Sequence, residues 1–193
     1  MSIKLDPDKH IYTLHGSEIP SVTQVIEGVG LYPKYSENPM YRRRGTAAHK
    51  ACALLIYGRL NRKNTSPAIL GYVESFEKFL VGSGFRPNIV EQLTWSEAWR
   101  VAGTVDLHGI LGGDPTIIDL KTGEPPEATR IQTAGYSCLI KESHGLETSR
   151  RIALRLHGNG DTATPIEYSN IAEDSRHFYS IVSIWHLKKK FGL

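Results

Sequence analysis

Two short apolar segments, Gly103-Thr-Val-Asp106 and Thr116-Ile-Ile-Asp119-Leu-Lys121-Thr-Gly123, each carry an acidic residue at or near the end of the apolar run. A glycine-containing polar turn separates them, which predicts two neighbouring β-strands. Side chains alternate between the two faces of a strand, so Asp119 and Lys121 are expected to point to the same side. If the two strands pair, Asp106 is expected to lie beside Asp119 and Lys121.

Two carboxylates and an ammonium that converge on one place predict a bound cation, because like charges are costly when they share a buried site. Hard oxygen ligands favour a divalent ion such as Mg²⁺ or Mn²⁺, with a phosphate next to the lysine. Asp106 and Asp119 are the predicted metal carboxylates, and the backbone carbonyl of Leu120 is a further candidate ligand. Lys121 is expected to orient or help deprotonate an attacking water and to offset phosphate charge. The alternative interpretation is turn or capping aspartates and a surface ion pair.

Two predicted helices place residues four positions apart, and hence on one helical face. In Gly45-Thr-Ala-Ala-His49 the histidine is a candidate nitrogen ligand for the same metal, which favours Mn²⁺. A glycine inside a helix costs about 1 kcal/mol relative to alanine, so Gly45 suggests close approach of another backbone or of a substrate. The histidine alone could equally be a packing or surface residue.

The second helical pair, Gln132-Thr-Ala-Gly-Tyr136, follows the lysine strand. A glutamine amide can hold a phosphate, a water or the lysine, and a tyrosine can meet a nucleic acid. Glu91, in the strand before Asp106, is a candidate extra carboxylate for the metal; the alternative is a charge on an edge strand.

The predicted order of elements is helices, a β-meander, a helix, strands and a helix, which indicates an α/β (α+β) fold with a central mixed β-sheet flanked by helices. The meander is expected at the centre of that sheet. The predicted elements are a hairpin over 10–20, a short helix opened by a capping box at Ser21, helices over about 40–60 and 66–81, strands over about 88–96, 100–111 and 116–120, a helix over about 125–141, strands over 151–157 and 165–168, and a helix over about 171–190.

Composition is ordinary for a soluble globular protein: 193 residues, 40% hydrophobic, 22% charged and a net charge of +3. No apolar run approaches the roughly 18 residues of a spanning helix, and the start lacks the features of a signal peptide. We therefore expect no membrane association and an intracellular location. The only cysteines, Cys52 and Cys138, are too few for a four-cysteine iron–sulfur cluster and are expected to be buried free thiols.

These motifs together resemble the PD-(D/E)xK nuclease superfamily, and within it the RecB-like branch. Its marks are a GxxxH helix, a GxxD strand, a DxK strand and a QxxxY helix, found here in that order between about residues 40 and 140. The hairpin followed by Pro20-Ser-Val-Thr23 is similar to phage-encoded RecB-type exonucleases and mitochondrial genome-maintenance exonucleases. The resemblance implies a restriction-endonuclease-like core over about 87–143 of one nuclease domain, preceded by the N-terminal hairpin and helices (1–86) and followed by strands and a helix (144–193).

The resemblance also implies cleavage of DNA phosphodiesters with one or two Mg²⁺ or Mn²⁺ ions, in the cytoplasm of a bacterium or phage-infected host. It implies metal ligation by His49, Asp106, Asp119 and the Leu120 carbonyl, with Lys121 catalytic. Residues before and within the first long helix could form a channel that contacts DNA: Tyr35, Arg42, Arg43, Arg44 and Gly45.

The leading hypothesis is a DNA exonuclease that acts on free ends in recombination, repair or replication, alongside a recombination or single-strand-binding protein as partner. A structure- or sequence-specific endonuclease on the same fold is the second hypothesis. The third is a catalytically silent DNA-binding subunit, which would have no need to keep Asp106, Asp119 and Lys121 together.

Overall fold

The computed structural model describes residues 3–7, 9–32 and 39–193, apart from the side chains of Pro39 and Arg42. Its strands are β1 (Ile3–Asp6), β2 (Ile11–Leu14), β3 (Ser17–Ile19), β4 (Arg86–Ser96), β5 (Val101–Leu111), β6 (Asp114–Lys121), β7 (Arg150–Arg155) and β8 (Thr164–Glu167). Its α-helices are α1 (Val22–Gly28), α2 (Pro39–Ile56), α3 (Pro67–Ser83), α4 (Thr129–His144) and α5 (Ile171–Phe191).

The larger sheet has the strand order β4-β5-β6-β7-β8. Strands β4, β5 and β6 form an antiparallel meander, β7 joins β6 in parallel after the α4 crossover, and β8 pairs antiparallel with β7. The predicted mixed sheet flanked by helices is confirmed. The meander, however, forms three of the five strands and lies at one side of the sheet, not at its centre. A parallel neighbour needs a crossover, and α4 returns the chain to the free side of β6, which leaves β4 at the edge.

Both faces of this sheet are covered by helices, and alternation along β6 decides which side chains meet which helices. Ile118 and Leu120 belong to the apolar cluster that includes α2 and α3. Ile117 belongs to the cluster that includes α1, α4 and α5. Because Asp119 has the parity of Ile117, its side chain lies on the α4 side of the sheet.

The predicted N-terminal hairpin is present as β2 and β3, and β1 adds a strand beside β2 that the sequence did not predict. This small sheet packs on the larger one through Tyr12, Leu14 and Ile19 around Ala102. The predicted capping box follows directly. Ser21 Oγ accepts from the Gln24 amide at 3.1 Å, and Gln24 Oε1 accepts from the Ser21 amide at 2.8 Å.

Two helix boundaries differ from the prediction. Helix α2 ends at Ile56 because Gly58 takes a left-handed conformation (φ 64°) that stops a helix. Helix α4 begins at Thr129 and not at Pro125. Glu124 and Pro125 each precede a proline, which disfavours their helical conformation, and a turn in which Thr129 N–H donates to Pro126 O at 2.8 Å leads into the helix.

Of the two cysteines, Cys52 is buried and Cys138 is half-buried, and both are free thiols. Among the described residues, no helix is both long enough and apolar enough to cross a membrane.

Candidate metal centre

Asp106 and Asp119 lie on neighbouring strands at the point where the pairing of those strands ends. The β5–β6 register runs from Leu111 opposite Asp114 to Leu107 opposite Ile118. Beyond it, the Leu120 amide donates to Asp106 Oδ2 at 2.8 Å. The Asp106 carboxylate therefore replaces the next backbone acceptor of the ladder and is held against β6.

Three side chains from three elements converge beside this point. His49 comes from α2, Glu91 from β4 and Asp106 from β5, and one ligand atom of each lies within 4.8 Å of the others. Two of them are in direct contact, His49 Nδ1 with Asp106 Oδ1 at 3.3 Å. An imidazole nitrogen and carboxylate oxygens at this spacing form a donor set suited to Mn²⁺ or Mg²⁺.

Glu91 has a backbone conformation that non-glycine residues adopt rarely, with a φ of 51°. Its two neighbours in β4 pair with the residues that flank Asp106 in β5. Glu91 therefore lies opposite Asp106 on the adjacent strand. Such conformations cost about 1 kcal/mol or more and cluster at active sites and ligand clamps. The strained backbone thus belongs to Glu91, the residue whose carboxylate completes the three-ligand cluster.

Asp119 and Lys121 share the α4 side of β6, as strand alternation requires. Lys121 Nζ lies 2.8 Å from Asp119 Oδ2, and the Asp119 side chain is 4% exposed. Among the described residues, Lys121 is the one close partner of Asp119 Oδ2, and a carboxylate oxygen can accept more than one contact. A buried carboxylate oxygen with unused acceptor capacity is an observation that fits a metal ligand.

The charges around this cluster are not balanced in the metal-free protein. Burial would lower the pKa of His49, but the charge and hydrogen bond of Asp106 raise it to about 9. Partial burial and repulsion by Asp106 raise the pKa of Glu91 to about 7. Burial raises the pKa of Asp119 against the opposing charge of Lys121. Burial acts on Asp106 in the same sense, but His49 and the Leu120 amide bring the Asp106 pKa below its ordinary value.

Lys121 remains an ammonium. Burial alone would lower its pKa, but Asp119, with further contributions from Tyr32 and Asp106, raises it above the ordinary value of a lysine. Three carboxylates thus face Lys121 and His49, and the charge of Lys50 also acts on Glu91. A divalent cation would supply the missing positive charge.

Gln132 holds the lysine, one of the three roles considered from the sequence. Its Oε1 accepts from Lys121 Nζ at 3.0 Å, and its Nε2 donates to Tyr136 Oη at 3.2 Å. Tyr32, which sequence reasoning missed, donates to the same Oε1 at 2.5 Å. No spacing rule links positions 32 and 132, so only the tertiary structure reveals this contact.

The glycines of the two motifs have different surroundings. A Cβ at Gly103 would lie 2.6 Å from a ring carbon of Tyr136, so the strand must have glycine there for the tyrosine to pack. A Cβ at Gly45 would meet only Thr122 Oγ1, at an ordinary 3.6 Å. Contacts of the described residues therefore do not require a glycine at position 45, and among those residues only Thr122 lies beside it.

The other predicted residues are less closely tied to the cluster. The Leu120 side chain is 2% exposed and packs in the α2–α3 core, while its amide binds Asp106. Arg43 is exposed, and Arg44 is half-buried with its guanidinium 5.1 Å from the Tyr41 ring centre and 5.5 Å from that of Tyr72. Arg42 lies in α2 without a described side chain, and Tyr35 falls outside the described residues.

Comparison with known proteins gives similarity to solved structures at low sequence identity. No protein-family model matches the chain, and no curated protein matches it. Among solved structures, the chain is similar to LHK-Exo, whose crystal structure is a complex with dAMP, at 15% sequence identity. The alignment covers 90% of this chain and 93% of that chain, with a TM-score of 0.38.

Proposed function

We propose that the protein is a metal-dependent DNA nuclease of the PD-(D/E)xK type, with a restriction-endonuclease-like core, that hydrolyses phosphodiester bonds at DNA ends. The observation that carries the proposal is the joining of two groups of residues. The three-ligand cluster of His49, Glu91 and Asp106 is continuous, through Asp106 and the Leu120 amide, with the Asp119–Lys121 pair.

His49, Glu91, Asp106 and Asp119 would hold one or two Mg²⁺ or Mn²⁺ ions, with the Leu120 carbonyl as a further proposed ligand. When bound, such an ion supplies Lewis-acid activation of a phosphate oxygen and lowers the pKa of a coordinated water. In the overall reaction a water oxygen bonds to phosphorus, the bond from phosphorus to the 3′ oxygen breaks, and the water proton ends on that leaving oxygen.

Lys121 would act on the phosphate by its charge. Its raised pKa keeps it protonated at neutral pH, which favours offsetting of transition-state charge and orientation of the water over proton abstraction. Gln132 sets the position of the ammonium through its Oε1, and Tyr136 supports Gln132 in turn.

DNA would enter along α2. Among the described residues no carboxylate pairs with Arg43 or Arg44, so both charges are available for phosphates. The open side of Gly45, next to Thr122, would admit a sugar–phosphate backbone. Participation in recombination, repair or replication, and a single-strand-binding or recombination partner, are part of the same proposal.

The test is incubation with Mn²⁺ or Mg²⁺ and end-labelled linear DNA, single- and double-stranded, beside covalently closed circular DNA. We expect metal-dependent loss of linear but not circular DNA, and none with Asp119→Ala, which should still bind DNA. Cleavage of circles would replace the exonuclease with an endonuclease. DNA binding without cleavage by the wild type would replace it with a silent binding subunit.

A further inference from the structure

Tyr32 lies outside every motif of the sequence, and we infer that it is a positioning residue for Lys121, acting through the side-chain amide of Gln132. This inference rests on the proposed nuclease function. Tyr32 follows α1, it is 9% exposed, and its ring belongs to the apolar cluster between the sheet, α4 and α5. Its hydroxyl donates to Gln132 Oε1 at 2.5 Å, and that contact is buried.

The acceptor is shared. Gln132 Oε1 receives the Tyr32 hydroxyl and the Lys121 ammonium, the latter at 3.0 Å, so both of its lone pairs are used. The amide nitrogen of Gln132 donates to Tyr136 Oη at 3.2 Å. A side chain held at both ends of its amide has little rotational freedom. The lysine therefore meets an oxygen in a defined place, and not an amide that could turn its N–H groups towards the ammonium.

Gln132 is an important acceptor for Lys121, because the other acceptor, Asp119, also has a proposed role in metal binding. Lys121 Nζ lies 2.8 Å from Asp119 Oδ2, but Asp119 is also a proposed metal ligand. Gln132 Oε1, on α4, is the acceptor that carries no metal-binding role. Its position therefore sets the direction in which the ammonium points while Asp119 serves the metal.

The alternative is that Tyr32 is a core residue whose hydroxyl merely needs a partner. Tyr32→Phe distinguishes the two, because it keeps the ring in the core and removes only the hydroxyl. If Tyr32 acts through Gln132, its hydroxyl should matter for the chemical step and should cease to matter once the glutamine is gone.

The experiment is a double-mutant cycle of wild type, Tyr32→Phe, Gln132→Ala and the double variant, with initial rates on linear DNA at saturating Mn²⁺. We expect Tyr32→Phe to lower kcat about tenfold, less than the roughly hundredfold that a 1 Å misplacement can cost. KM should stay within about twofold, as expected when a transition-state interaction is lost. In the Gln132→Ala background, Tyr32→Phe should have no further effect.

The matched control is Tyr179→Phe, which also removes one hydroxyl that donates to a side-chain oxygen, that of Glu142 at 3.0 Å. It should leave kcat unchanged, and thermal midpoints measured in parallel verify that every variant is folded at the assay temperature. An unchanged kcat in Tyr32→Phe, or losses that add fully to those of Gln132→Ala, would overturn the positioning role alone. A wild type that cleaves no DNA would overturn the proposed function and the role together.

Discussion

Lys121 and Arg151 are cations on neighbouring parallel strands, β6 and β7, and both face α4. The register pairs Ile117 with Arg151 and Lys121 with Arg155, so the two cations share one face of the sheet. Their surroundings differ. The Arg151 side chain is 1% exposed, whereas that of Lys121 is 22% exposed.

Acceptors surround both Nη groups of Arg151, while its Nε has no partner among the described residues. Its Nη groups donate to Arg130 O at 2.7 Å, Ser169 O at 2.8 Å and Asp174 Oδ2 at 2.7 Å. Asp174 also accepts from Arg130 Nε at 3.0 Å, so one carboxylate serves two guanidinium groups. The cluster joins β7 to the first turns of α4 and α5.

The Lys121 region differs, because three carboxylates with shifted pKa values lie close together there. One of them, Glu91, has a strained backbone conformation. A closed, paired cluster stabilises a fold, while an open cluster with surplus negative charge invites a cation. The contrast teaches that burial of charge alone does not identify a functional site. The number of partners that each charged group has is the better indication of a functional site.

The largest expected effect tests the open cluster. Lys121→Met should lower kcat by roughly 10² to 10³, as for the loss of one transition-state donor, because a charge next to the phosphate is removed. Mn²⁺ affinity should change little, since the lysine is not a ligand. Steady-state rates and calorimetric Mn²⁺ titration check this, and equal losses in both would contradict the role given to Lys121.

A comparable effect, on stability, tests the closed cluster. Asp174→Asn leaves Arg151 buried without its carboxylate and should cost about 3 kcal/mol of unfolding free energy. For a chain of this size that lowers Tm by about 6–12 °C. The kcat of the folded variant should match the wild type. Thermal unfolding with a parallel cleavage assay checks both, and a normal Tm would mean that Arg151 and Asp174 are not a structural pair.

A smaller effect concerns pH. His49 loses its proton near pH 6.5 in the unfolded chain and near 9 in the folded metal-free protein, and Glu91 shows a raised pKa in the same sense. A raised folded pKa gives stability that is present at low pH and lost as pH rises. Between pH 6.5 and 9 the unfolding free energy in EDTA should therefore fall by about 2 kcal/mol, after allowance for partial screening.

Urea unfolding at intervals across that range measures the decline. His49→Asn should remove most of it, because the group with the higher pKa is gone. A wild-type stability that stays flat from pH 6.5 to 9, or that rises, would mean that the metal-free cluster is not short of positive charge.

The smallest effect compares two adjacent arginines of α2. The guanidinium of Arg44 lies over two tyrosine rings, while Arg43 is exposed. A preorganised guanidinium loses less entropy on binding a phosphate. Arg44→Ala should weaken DNA binding several-fold and reduce the salt slope by about 0.7–0.9. Arg43→Ala should weaken DNA binding less than Arg44→Ala does. Equal effects, measured by fluorescence anisotropy on Asp119→Ala protein, would make the aromatic contacts irrelevant.

Local rules account for much of the fold and for part of the site. Strand alternation places Asp119 and Lys121 on one side, and helical spacing places Gln132 and Tyr136 on one face of α4. The capping box at Ser21 follows from two residues, Ser21 and Gln24, that are three positions apart in sequence. These features depend on neighbours in the chain, so a sequence can specify them without knowledge of the tertiary structure.

Other features depend on residues that are far apart in sequence. The Tyr32–Gln132 contact joins positions 100 residues apart. The left-handed conformation of Glu91 arises within the β4–β5 pairing, and propensity would not suggest it for a glutamate. Strand β1, which the sequence did not predict, gains its place by pairing with β2. Tertiary packing decides all three.

The most direct test of the central claim is calorimetric titration of Mn²⁺ into metal-free wild type, Asp106→Asn and Asp174→Asn, which alter one aspartate in the open or the closed cluster. The account predicts binding by wild type and Asp174→Asn, and loss of most of the affinity in Asp106→Asn. Equal Mn²⁺ affinity in all three proteins would contradict it, because the cluster around Asp106 would then not be the metal site.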